Sequence, residues 1–250
     1  MKLSFSPRAV LALALPSVAL AALPSRFGMV LFPGFQNIEV AGSIETLFST
    51  SIQRPLNLTT IAYSLDPVSS LAPPQARIGS TFSTSLVPTH TFANPPTDLD
   101  VLFVPGGLGN RALSAEHRAA LLGYLRDVYP SLQYVLSICT GAGLLAQAGL
   151  LDGRNATTNK WAWYETVVHG PKTNWIAKAR WIVDGNIYTS SGVAAGIDAA
   201  FAFVADVFGE DVAARAAQGL EYIRVMDPTN DPFAEVNGAV DVPPVRPACK

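Results

Sequence analysis

Short apolar runs alternate with stretches of helical periodicity along this chain, and glycine, proline or small residues cut each run off. That alternation is the pattern of a parallel sheet buried on both sides by the helices that connect its strands. Residues 27–32 make the first expected strand, stopped at Pro33-Gly34. A helix follows, with Ala41, Ile44, Leu47 and Phe48 at the spacing of one apolar face. Residues 58–64 form a second strand, and the Pro-, Ser- and Thr-rich stretch 66–96 should hold short edge strands and turns. Residues 101–104 read as a fully buried strand ending in Pro105-Gly106-Gly107, and 116–128 as an amphipathic helix. The central strand is expected over 132–138 and its helix over 140–148. Residues 180–183 and 187–189 flank the turn sequence Asp184-Gly185-Asn186, and 194–208 is a long apolar helix. Neither a repeat nor a second apolar core is visible. The expectation is one α/β domain over 26–226 and an irregular Pro-rich tail over 227–250.

Composition narrows the partners. Hydrophobic residues make up 49% of the chain and charged ones only 14%, which is ample for a large core. A net charge of −2 with 17 scattered Lys and Arg offers no basic patch for a nucleic acid or an anionic membrane. The expected partners are a small-molecule substrate and a second copy in a homodimer. No cofactor is expected, and no metal: CxxC and HExxH are absent, and His90, His117 and His169 lie far apart. Lys2 and Arg8 before an apolar run and Ala-rich 19–22 describe a secretory signal peptide over 1–22, hence a secreted protein. In that route Asn57 and Asn155, each in an Asn-x-Thr triplet, become glycosylation candidates. Cys139 and Cys249 do not resemble a disulfide framework.

Chemistry concentrates at Tyr134-Val135-Leu136-Ser137-Ile138-Cys139-Thr140-Gly141-Ala142-Gly143, where a buried strand hands over to a helix. Small neighbours allow a tight, strained turn at the cysteine. The helix N-terminus should favour thiolate, the reactive form. Attack on an unsaturated carbon leaves negative charge on an adjacent atom, and the N–H groups of Gly107 and Thr140 are the candidate oxyanion donors. Gly106 permits the close backbone approach. Glu39, between apolar neighbours, should have a raised pKa and serve as a general acid to the sulfur.

The segments FPGFQNIEVAG at 32–42, DVLFVPGG at 100–107, SICTGAGLLAQAGLLDGRNATTNKW at 137–161 and GVAAGIDAAF at 192–201 together resemble the ThiJ/PfpI superfamily. That resemblance implies a flavodoxin-like sandwich, and Cys-Thr-Gly-Ala with Ala-Gly-Ile-Asp looks most like its isonitrile hydratase branch. It further implies Cys139 as nucleophile with Thr140 beside it, Glu39 where that branch carries aspartate, and Val193 on a loop against the thiolate. The family usually has histidine after Ala156-Thr157-Thr158, where this chain has Asn159-Lys160. Asparagine exchanges no proton near neutral pH, so a Cys–His dyad would need His169 to swing in from its loop. Hydration of an isonitrile needs only thiol and carboxyl. The alternatives are glyoxalase or deglycase chemistry on 2-oxoaldehydes, and a non-enzymatic cysteine redox or stress protein.

Overall fold

The computed structural model describes residues 22–245; the expected leader, save its last residue, and Cys249 lie outside them. From β1 (Arg26–Val30) the chain enters α1 (Asn37–Ser51) and returns as β2 (Asn57–Ala62). The ribbon of β3 (Val68–Ser69) and β4 (Ser85–Leu86) encloses a short helix, α2 (Pro73–Arg77), before β5 (His90–Thr91). Next come β6 (Val101–Val104), α3 (Ala115–Val128), β7 (Tyr134–Ser137) and α4 (Gly141–Gln147). A second ribbon, β8 (Asn155–Ala156) with β9 (Asn174–Trp175), spans α5 (Trp163–Val167). The hairpin β10 (Trp181–Asp184) and β11 (Ile187–Ser190) precedes α6 (Ala195–Phe208), α7 (Glu210–Gly219) and α8 (Phe233–Val236).

The main sheet runs β10-β11-β7-β6-β1-β2-β5, and every pairing except β10 with β11 is parallel. This is the mostly parallel α/β architecture expected. All four residues of β6 are buried, as a central strand covered on both faces requires. Its register pairs Val104 with Ser137 of β7. The carboxyl ends of the two strands therefore stop together, and Pro105-Gly106-Gly107 is brought beside Cys139. Ligands gather at such strand ends in open α/β sheets.

Phe203 of α6 packs edge-on against Phe27, Phe103, Tyr134 and Tyr188, from four strands, with ring centroids 5.3–6.4 Å apart. The apolar face expected on α1 is shifted. Ala41 and Phe48 are exposed, while Glu39, Val40, Ser43, Thr46, Leu47 and Thr50 point inward. The cause is close packing on α6: a Cβ at Gly42 would lie 2.8 Å from Ile197 Cγ1, leaving room only for small side chains. Ser43, Thr46 and Thr50 satisfy their hydroxyls by donating to carbonyls four residues back, so the polar stripe costs little.

The chain after 227 is less irregular than expected. It carries α8, and Val242 bridges to Trp175. Trp163 Nε1–H and Tyr164 O–H donate to Val240 and Gly238 carbonyls, and Asp241 accepts from Ala177 N–H. Asn57 and Asn155 are exposed, though Thr157 of the second triplet is fully buried.

Candidate active site

Cys139 has φ +55°, the left-handed region that non-glycine residues rarely occupy. The strained turn expected at the nucleophile is present. Crowding enforces it: a Cβ at Gly141 would lie 2.2 Å from the Val104 carbonyl oxygen, and one at Gly106 2.5 Å from Thr140 Oγ1. Only glycine lets the β6 and β7 loops touch at this point. The thiol itself is 6% exposed, at the bottom of the site.

Glu39 projects from the first turn of α1 to the same place and is 1% exposed. Its Oε2 accepts from Gly106 N–H, while buried Oε1 has no good hydrogen bond, and the carboxyl lies against the Cys139 thiol. Burial raises its pKa to about 8, against the opposing pull of the Gly106 N–H and the thiol. At neutral pH Glu39 therefore holds a proton, as expected.

Two expectations need correction. The first is the resting thiolate. Burial pushes the Cys139 thiol well up, and the Glu39 carboxylate pushes it further; the Thr140 N–H and the Asn159 side chain pull it only partly back. The N-terminus of the short α4 is outweighed by desolvation, and the resting form is the thiol. The second is the oxyanion pair. Gly106 N–H is engaged by Glu39, and Gly107 N–H donates to Thr140 Oγ1 at 3.2 Å. Of the N–H groups considered, Thr140's is the one directed at the sulfur. Thr140 is fixed there by Asn110, whose Nδ2 donates to Thr140 Oγ1 at 2.9 Å, a partner the sequence did not suggest.

Asn159 stands at the sulfur in place of histidine. Its Oδ1 accepts from Ala162 N–H at 2.9 Å, which leaves its Nδ2 as the donor toward the thiol. Val193 lines a cavity of about 350 Å³ next to Asn159, together with Trp161, Ser191 and Phe233. His169 does not swing in. It lines a separate polar cavity with Thr140, Asn110 and Arg118, and burial and the Arg118 charge both lower its pKa.

A model of the DJ-1/PfpI family matches residues 26–206. The chain belongs to the DJ-1/PfpI family. It is 34% identical to an isonitrile hydratase from Pseudomonas putida over 198 residues, 79% of this chain and 78% of that one. A solved THiJ/PfpI family protein from Pseudomonas syringae shares 28% identity at a TM-score of 0.67, with 91% of this chain and 90% of that chain covered. Drosophila melanogaster DJ-1beta, at 19% identity, has a TM-score of 0.63 over 80% of this chain and all of its own, and shares the fold.

Within this family framework Asp198, of the Ala-Gly-Ile-Asp segment, is structural. It pairs with Arg180 at 2.6 Å and accepts from Tyr222 O–H and Val225 N–H. The sequence reading also passed over Lys160 and Asp231, each with a side chain only 1% exposed, whose Nζ and Oδ2 lie 3.3 Å apart. A charged residue directly after the Asn159 position was the one available signal for Lys160. Asp231 gave none, since it sits in a Pro-rich segment far along the chain.

Proposed function

We propose that the protein is a cysteine-dependent hydratase that converts an isonitrile to an N-substituted formamide. The observation that carries this reading is the buried, protonated Glu39 carboxyl against the Cys139 thiol, with asparagine where a proton-exchanging histidine would stand. Similarity to the isonitrile hydratase supports the substrate class. The reaction needs a proton and a nucleophile delivered to one carbon, and this pair supplies both.

In the first step Glu39 gives its proton to the terminal carbon of R–N≡C and Cys139 sulfur bonds to that carbon. The thiol proton passes to the Glu39 carboxylate, and the product is a thioimidate, R–N=CH–S–Cys139. Water then adds, its oxygen to carbon and a proton to nitrogen. The carbon–sulfur bond breaks as R–NH–CHO forms, and the sulfur recovers a proton. Glu39, protonated again after each transfer, serves both steps. Thr140 N–H and Asn159 Nδ2–H lower the cost of charge on sulfur as the bond forms and breaks.

Incubation of the purified protein with a panel of small isonitriles and with methylglyoxal, following the formamide and the hydroxy acid directly, tests the assignment. Formamide production is expected, lost in Cys139→Ala. Turnover of methylglyoxal with no formamide from any isonitrile would replace this reading with the glyoxalase one.

A further inference from the structure

Beyond the thiol and carboxyl, the described residues hold one buried ion pair beside the Cys139 turn that the mechanism above does not use. Lys160 Nζ donates to Thr157 Oγ1, the Thr158 carbonyl and the Ala179 carbonyl at 2.7, 2.8 and 3.0 Å, and its charge is matched by Asp231 Oδ2 at 3.3 Å. Burying an ammonium and a carboxylate together is expensive, and apolar residues of like volume often fill such sites without loss of stability. The pair is also wired to the reacting residue. Thr158 Oγ1–H donates to the Cys139 carbonyl at 2.8 Å, and Asn159, which touches the sulfur, lies between Thr158 and Lys160. Asp231 in turn accepts from Ser191 O–H, at the edge of the cavity that Val193 lines.

We propose that Lys160 is a positioning residue for this chemistry: its ammonium, anchored by Asp231 of the C-terminal segment beside the Cys139 turn, supplies positive charge near neutral pH that steadies the sulfur as it becomes a nucleophile. As a contribution to hydration it rests on the function proposed above; as a property of the thiol it stands alone. The charged and titratable groups around Lys160 are Asp231 and, within electrostatic reach, Cys139 with Glu39 against it; the Trp163 ring lies 5.1 Å from Nζ. Arg180, in the same cavity wall, is neutralised by Asp198. Burial draws the Lys160 pKa down to about 8, while Asp231 and negative charge on Cys139 push it back up. Without Asp231 the balance tips toward the neutral amine near pH 7.5, and the sulfur loses its cation.

The test is the rate of Cys139 alkylation by iodoacetamide as a function of pH, read by mass spectrometry on its own peptide. In Asp231→Asn, which keeps the shape and one accepting oxygen, the rate at pH 7.5 is expected to fall about tenfold, because a nearby opposite charge moves a thiol by about one to three pKa units. The loss should vanish well above pH 8, where Lys160 is neutral in both proteins; a merely misplaced loop would slow the reaction at every pH. The double variant Lys160→Met/Asp231→Leu should show the same displaced profile. A profile like wild type in Asp231→Asn, or in a well-folded double variant, overturns the proposal, and the single variant decides alone if the double one does not fold. A displaced profile in a protein that hydrates no isonitrile would overturn the substrate reading and leave this one standing.

Discussion

The two flanks of the Cys139 sulfur are built by different means. On the Glu39 side, the parts are the first turn of α1, the glycine loop after β6 and the turn after β7, locked by backbone contact. On the Asn159 side, side chains from 157–160, from Ser191 and from Asp231 are tied together by hydrogen bonds and one ion pair. Strand ends and glycine backbones hold a proton donor where small shifts would ruin it. Side-chain networks from separate segments set the electrostatics around the same atom. The first flank should thus fail abruptly when altered, and the second by degrees.

The largest effects belong to the sulfur and the rigid flank. Cys139→Ala should abolish formamide production without loss of fold, and full turnover by that variant would end the nucleophile assignment. Glu39→Gln keeps an acceptor for Gly106 N–H but removes the transferable proton. Turnover should fall by about 10²-fold or more, the usual contribution of a positioned acid. Glu39→Asp should be milder, since the carboxyl survives and only its reach changes. A Glu39→Gln enzyme that turns over like wild type from pH 5 to 8 would make the carboxyl structural and erase the contrast between the flanks.

How legible these flanks were follows from the same difference. β6, β7 and the cysteine between β7 and α4 could be read because apolar runs closed by glycine have few other ways to be buried. The face of α1 was misread because hydrophobicity pointed to Ala41 and Phe48, while helix–helix contact at Gly42 favours small hydroxyl residues. The correct stripe, residues 39, 43, 46, 47 and 50, has helical spacing and includes Glu39 itself. The thiolate expectation weighed the helix end and not the depth of burial, which no local pattern reports. Asp231 reaches Lys160 across 71 positions of sequence through the path of the C-terminal segment, which periodicity does not encode.

A prediction of intermediate size concerns stability against pH. In the folded protein Glu39 titrates near pH 8, well above its ordinary 4.5. Between those values the native state keeps a proton that the unfolded chain has released, so stability contributed by this group falls as pH rises from about 4.5 to 8 and is flat beyond. Glu39→Gln removes that loss. Its melting temperature should match wild type near pH 4 and exceed it near neutrality by the equivalent of roughly 3 kcal/mol. A constant gap at all pH values would mean that Glu39 is ionised in the native state.

The smallest effect probes the strain at the nucleophile. Replacing a buried alanine by glycine ordinarily costs about 1 kcal/mol or more, through the lost methyl and the freer unfolded chain. At position 139 the left-handed backbone reverses part of that account, because a Cβ there is disfavoured by about 1–2 kcal/mol. Cys139→Gly should therefore be as stable as Cys139→Ala to within about 0.5 kcal/mol. Ala142→Gly, at the second residue of buried α4, serves as the control with the full cost of about 1 kcal/mol. Paired chemical denaturation curves measure both differences. If Cys139→Gly falls below Cys139→Ala by as much as the control, the turn stores no strain, and the rigid flank is held by contact alone.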